Sequence, residues 1–258
     1  MPRRPRFVLF ALLLLAACAP SRGNDAEPPA TAPPSGATGS EDVSPSPPPE
    51  LEPLQLRGDE AAVPLERLTA MWNRPTVDGP ADFQLDTRNP DGLLAPLLID
   101  GAGSLGEAVW YRVLLPIRPN GTTAWVRGQD VEVRERPERI VVDLSRRLLW
   151  HYVGDRLVDR FSVAVGSPAT PTATGRFYVW VKVTYANPSG PYGAAALGLS
   201  GFSPVLSEWP GEGRMAVHGT ADPGDLGRAV SHGCVRVVNA QLEALMGVPL
   251  GTPVLIHA

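Results

Sequence analysis

Cysteine is nearly absent. The 258 residues hold two, Cys18 and Cys234, too few for a disulfide-stapled scaffold. Histidine is sparse, with four residues. His218, His232, Cys234 and His257 could be assembled on paper into a zinc site, but their spacing is not a ligand pattern and only one thiolate is at hand, so no metal is expected. Lys182 is the only lysine, the net charge is −4, and no basic run follows the first residues, which argues against nucleic acid as a partner. After Leu15 no apolar run is long enough to cross a bilayer.

What is abundant is unevenly placed. Arg3, Arg4 and Arg6 precede an apolar run from Phe7 to Leu15, and small residues follow. This is the order of an export signal. Leu15-Ala16-Ala17-Cys18 resembles a bacterial lipobox. On that reading residues 1–17 are removed, the Cys18 thiol is lipidated, and the acyl chains hold an extracytoplasmic lipoprotein on the membrane face toward the cell wall. The alternative is an ordinary signal peptide cut near Ala17 or Ala19, with Cys18 incidental. Residues 18–57 then form a tether. The segments Glu27 to Ser35 and Ser44 to Pro49 are rich in Pro, Ala, Ser and Thr and cannot bury enough apolar surface to offset ordering entropy. Fully extended, ~35 such residues would reach on the order of 100 Å.

The remainder reads as mainly β. In 58–136, Trp110 to Leu115 and Thr122 to Val126 are short strands joined by the turn Arg118-Pro119-Asn120-Gly121, and Val131-Glu132-Val133 alternates. The strings Trp110-Tyr111-Arg112-Val113, Arg118 to Gly121 and Ala124-Trp125-Val126-Arg127 resemble bacterial Src-homology-3-like modules, which implies a small barrel that either binds the wall or simply packs on its neighbour. In 137–258, strands are expected at Ile140–Leu144, Leu148–Tyr152, Arg156–Val165, Phe177–Val183 (half-buried) and Met215–Val217. One short helix is expected at 240–246, with Asn239 as N-cap and Gly247 as stop. Residues 185–212 read as a long Gly/Pro/Ala-rich loop holding Tyr185, Tyr192 and Trp209, either a substrate lid or a variable surface loop.

The chemistry concentrates at Ser231-His232-Gly233-Cys234. If Cys18 is lipidated, Cys234 is an unpaired thiol in an exported protein, and such a leftover invites a reactive role. A thiol titrates near 8.5, so attack on an amide needs a histidine to take its proton. His232, two residues away, and His218, at the end of another strand, are both candidates. Gly233 would let the backbone turn so that amides face a developing oxyanion. Ser231 would orient an imidazole or cap local backbone. Arg236 suits a substrate carboxylate or an internal acid.

His218-Gly219-Thr220 followed by Ser231-His232-Gly233-Cys234-Val235-Arg236-Val237 resembles the signature of the YkuD family of L,D-transpeptidases. Pro171-Thr172 with Gly175-Arg176-Phe177 and Gly251-Thr252-Pro253-Val254 add to the likeness over about residues 138–257. The resemblance implies a YkuD-type β-sandwich. It implies Cys234 as nucleophile and His218 as proton donor and acceptor, with Gly219, Ser231, His232 and Gly233 shaping the site and oxyanion hole. Arg236 would support the site or the substrate carboxylate, and Tyr192, from the lid reading of the 185–212 loop, is the other candidate substrate contact. The implied substrates are peptidoglycan stem peptides. The third-residue carbonyl of a tetrapeptide would pass to cysteine, with loss of D-alanine, and then to a neighbouring stem's amine. Carbapenem β-lactams would acylate the same thiol, and no cofactor is implied. A hydrolase using the same thioester and a non-catalytic wall-binding lipoprotein are the alternatives.

Overall fold

The computed structural model describes residues 50–208 and 211–258. The expected signal peptide, the lipidation site at Cys18, most of the tether and Trp209 lie outside the described residues.

The first sheet is built from β1 (Glu52–Pro53), β2 (Glu60–Pro64), β5 (Leu97–Leu105), β6 (Ala108–Leu114), β7 (Thr123–Arg127) and β8 (Val131–Glu135), while β3 (Leu68–Met71) and β4 (Phe83–Asp86) form a separate hairpin. The order β7-β6-β5-β2-β8 is antiparallel throughout, and β1 pairs with the end of β5. Ordered pairing thus begins at Glu52, inside the stretch read as tether. Inward-facing Leu97, Ile99, Val113, Ala124 and Val126 form its core.

The second sheet comprises β9 (Glu138–Asp143), β10 (Leu148–Val153), β11 (Arg156–Ser162), β13 (Gly175–Thr184), β14 (Ala195–Phe202), β15 (Arg214–Thr220), β17 (Val235–Val238) and β18 (Pro253–His257). Its order is β11-β10-β9-β18-β13-β14-β15-β17, with β9/β18 and β15/β17 parallel. Ile140, Val142 and Leu149 from one end share a core with Val217, Val235 and Val237 from the other, so the sheet folds over on itself like a sandwich. The short β12 (Val165–Gly166) and β16 (Ala229–Ser231) pair beside it. Among the described residues the one α-helix, α1 (Asn239–Leu245), closes the core with Leu242 and Leu245. The described residues are mainly β with one short α-helix, as the sequence implies.

Four local readings are corrected. The strand expected over Arg156–Val165 stops at Ser162 and resumes only at β12. The half-buried strand Phe177–Val183 is buried on both faces over its first half. Phe177 and Val179 enter the second core, while Tyr178 enters the first core and donates its hydroxyl to Leu114 O at 3.3 Å. The loop 185–212 contains β14, a central strand buried along its whole length. Ala195-Ala196-Leu197-Gly198-Leu199-Ser200-Gly201-Phe202 carries little β propensity, which hid it. Its glycines answer to space: a Cβ on Gly198 would sit 2.5 Å from Val181 Cγ1, and one on Gly201 2.3 Å from the Phe177 ring. Finally, Val238 and not Asn239 occupies the N-cap of α1, because the Asn239 amide is engaged elsewhere.

Candidate active site

Strand register assembles the site. β15 and β17 run parallel with Val217 opposite Val235 and His218 opposite Arg236, and one step back Ala216 lies level with Cys234. Side chains alternate along a strand. Val217, Val235 and Val237 therefore enter the core, and Ala216, His218, Cys234 and Arg236 share the opposite face. This pairing brings the sequence-distant His218 to the face that carries the thiol, and both line one cavity.

The tetrad between β16 and β17 is a closed turn. Gly233 sits at φ +112°, a conformation L residues rarely adopt. Ser231 is buried. Its hydroxyl donates to Cys234 O at 2.5 Å and accepts from Gly233 N–H at 3.1 Å. Its carbonyl accepts from Ser167 N–H and the Thr170 hydroxyl, both at 2.9 Å. The Gly233 amide, expected to face an oxyanion, is thus bonded to Ser231 Oγ and holds the turn. Ser231 Oγ thus orients the backbone of its own turn.

His218 is 2% exposed, and its Nδ1–H donates to Gly219 O at 2.8 Å, which leaves Nε2 as the basic nitrogen. Burial lowers its pKa to about 4; hydrogen bonding to the backbone at Gly219 and Tyr192 opposes that, and the nearby Arg236 charge adds to it. Burial pushes the Cys234 thiol up, against a backbone hydrogen bond from Ala216 and the Arg236 charge. At neutral pH the pair is therefore a thiol beside a neutral imidazole. His232 is exposed on the rim. Arg236 pairs with Asp225 at 2.6 Å, the internal-acid alternative for this residue.

Cys234 lines two cavities. One, of about 220 Å³, is bounded by Ser203, Leu206, Arg214, His218, His232 and Gly233 among others. The other, of about 310 Å³, is bounded by Trp180, Val183, Tyr185, Ala196, Gly198 and Ala216 among others. Tyr192 lines both, stacks on Tyr185 at 5.5 Å and meets the His218 ring edge-on at 5.2 Å. The sequence reading did not single out Asn239 for the site. Its amide accepts from Ala194 N–H and donates to Pro188 O, both at 2.9 Å, and pins the Tyr185–Ala194 segment over Gly219. A Cβ on Gly219 would lie 2.2 Å from Asn239 Oδ1, which explains the glycine after His218. The signal available in sequence was the polar residue opening an otherwise apolar helix start. Among the described residues no group of three or more His, Cys, Asp or Glu is placed to hold a metal. His151 lies between Glu138 (2.8 Å) and Asp159 (3.2 Å), and His257 is exposed.

Asn239→Ala should release the Tyr185–Ala194 segment. Losing two hydrogen bonds of about 1 kcal/mol each predicts roughly a tenfold or larger fall in kcat/KM and faster protease cutting within 185–194. Unchanged cutting would show that the amide does not hold the segment.

Residues 137–256 match the family model for the YkuD L,D-transpeptidase catalytic domain. A Bacillus licheniformis relative that bears the name L,D-transpeptidase YkuD is 40% identical over 121 residues, 46% of this chain and 66% of the relative. Its Bacillus subtilis counterpart is 31% identical over 151 residues, 56% of this chain and 84% of the relative. Among solved structures, the catalytic domain of an Enterococcus faecium L,D-transpeptidase acylated by ertapenem aligns over 48% of this chain and 99% of that chain, with 25% identity and a TM-score of 0.36. The family model's range includes the strand that carries His218 and the turn that carries Cys234, and with the Bacillus subtilis relative covered over 84% of its length at 31% identity the chain belongs to the YkuD family of L,D-transpeptidase catalytic domains.

Proposed function

We propose that this protein cross-links peptidoglycan stems by cysteine acyl transfer. Cys234 Sγ attacks the third-residue carbonyl of a tetrapeptide stem while His218 Nε2 takes the thiol proton. The amide C–N bond then breaks, the imidazolium protonates the leaving D-alanine amine, and a thioester remains. The side-chain amine of a second stem attacks the thioester, loses its proton to His218 and releases Cys234. One amide replaces another, so the step needs no nucleotide.

The observation that carries this reading over a simple protease is the placement of Cys234 on two cavities of different lining. The acyl group can occupy one while an amine approaches through the other. Tyr192, present in both, is suited to hold the segment between the two substrates. Arg236, held by Asp225, acts on the dyad through its charge and leaves substrate carboxylates to other groups. A strained β-lactam of the carbapenem class would acylate the same thiol. Cys18 lipidation and the Pro-rich tether would place the domain outside the membrane facing the wall, and the first sheet is read as the Src-homology-3-like module.

Incubation of the purified protein with a disaccharide-tetrapeptide, followed by mass spectrometry, tests the reading. Cross-linked dimers are expected. Tripeptide monomers alone would replace transfer by hydrolysis, and no product at all would overturn both.

A further inference from the structure

The turn between β6 and β7, read from sequence as a plain Asn-Gly turn, reaches across to the second sheet. Arg118 spreads its guanidinium over three main-chain carbonyls of one loop: Nη1 donates to Ser203 O at 3.0 Å, and Nη2 donates to Leu206 O at 2.8 Å and Glu212 O at 2.7 Å. Its plane also lies over the Phe202 ring at 4.7 Å. Two residues on, the Asn120 amide pairs with both main-chain groups of Phe202, donating to its carbonyl at 2.8 Å and accepting from its N–H at 2.9 Å. This is where the β14/β15 register shifts, between Gly198 and Phe202, so a side chain bonds the main chain at an irregular point of the ladder. Arg214 completes the seam. It stacks on the other aromatic contacts, Trp180 at 3.8 Å and Phe202 at 4.3 Å, and donates to Leu199 O and to Pro116 O of the same turn.

The loop held in this way forms a wall of the reactive site. Ser203, Leu206, Gly213 and Arg214 all line the Cys234 cavity. Gly213 shows how close the fit is. It sits at φ +73°, and a Cβ there would fall 1.9 Å from Leu206 O and 3.1 Å from Arg118 Nη2. A planar guanidinium that bonds three carbonyls at once fixes their relative positions in a way that a packed apolar contact does not.

We propose that Arg118 and Asn120 are positioning residues for acyl transfer: from the first sheet they set the shape of the wall that residues 203–206 and 212–214 give the Cys234 cavity, so that sheet is a structural part of the substrate site. The proposal deepens the transpeptidase reading and rests on it for its kinetic consequence alone. Neither residue touches the thiol. Each acts through the loop it holds.

Arg118→Ala and Asn120→Ala, made separately in the full chain, test this, and the second serves if the first does not fold. Three measurements are compared with wild type. Amide hydrogen exchange should speed by about tenfold or more at 203–206 and 211–213, while β9 and β10 keep their protection. The ratio of Cys234 alkylation by bulky N-phenylmaleimide to that by small iodoacetamide should change by about threefold or more, because the wall bounds what reaches the thiol. With tetrapeptide substrate, KM should rise about tenfold while kcat stays within about threefold, the split expected of lost positioning. Unchanged loop exchange in both variants would overturn the proposal. So would faster exchange with an unchanged alkylation ratio and an unchanged KM, which would make the seam structural only. If wild type turns over no stem peptide, the transpeptidase reading falls, and the exchange and alkylation results decide the positioning claim by themselves.

Discussion

Replacing Cys234 with alanine is expected to cut transfer by on the order of a millionfold, the scale seen when a covalent nucleophile is removed. No neighbouring group can stand in. His218 is buried, its Nδ1–H is committed to Gly219 O, and Ser231 Oγ is bonded at both ends within its own turn. The substitution should leave the fold intact, because the residue is only partly buried and its turn is held by Ser231, Ser167 and Thr170. Melting temperature within a few degrees of wild type is the control. A carbapenem should add one drug mass to the wild-type peptide that carries Cys234 and none to the variant. An adduct that persists on the alanine protein, or transfer that survives within about tenfold, would remove Cys234 from the nucleophile's role.

The sequence discloses the site better than its supports. Residues 231–237 and His218-Gly219 are legible because their chemistry is written in residue type: one thiol, a histidine preceded by Met-Ala-Val, and a glycine where the turn needs positive φ. The β15/β17 register, which no local pattern encodes, sets His218 on the sheet face that carries Cys234. β14 was read as loop because Ala and Gly dominate it; those small residues are there because Val181 and Phe177 already occupy the space a side chain would need. Tyr178 and Trp180 alternate as an outward face should, yet the first sheet packs against that face, and amphipathicity cannot show that the outside of one sheet is the inside of another. Arg118 and Asn120 read in sequence only as turn residues and Asn239 only as an N-cap, and their long-range bonds went unread for a shared reason. Polar residues in turns and at helix starts satisfy local backbone so often that a long-range bond to the main chain leaves no mark in spacing or composition.

The pH dependence of kcat/KM and of thiol alkylation is the second large effect, and the alkylation profile separates two kinds of cysteine enzyme. Where a thiolate–imidazolium pair exists at rest, the thiol pKa is depressed and small alkylating agents react at low pH. Here burial acts on both partners in the opposite sense: the imidazole pKa falls to about 4 and the thiol pKa rises. A base with a lowered pKa is lost only when pH falls through that lowered value, so activity should hold through pH 6.5 and decline toward about 4. Alkylation of Cys234 by iodoacetamide should climb with pH and reach its midpoint above the ordinary thiol value of about 8.5. His218→Asn, which cannot accept the proton, should lower kcat/KM by about a hundredfold to ten-thousandfold and abolish the limb near 4. Arg236 supplies an internal check, because its charge lowers both pKa values. Arg236→Gln should move the acid limb upward and the alkylation midpoint upward together. Iodoacetamide reactivity that is already maximal near pH 6 would reveal a resting ion pair and overturn general-base activation by His218, and an acid limb between 6 and 7 would contradict the lowered imidazole pKa.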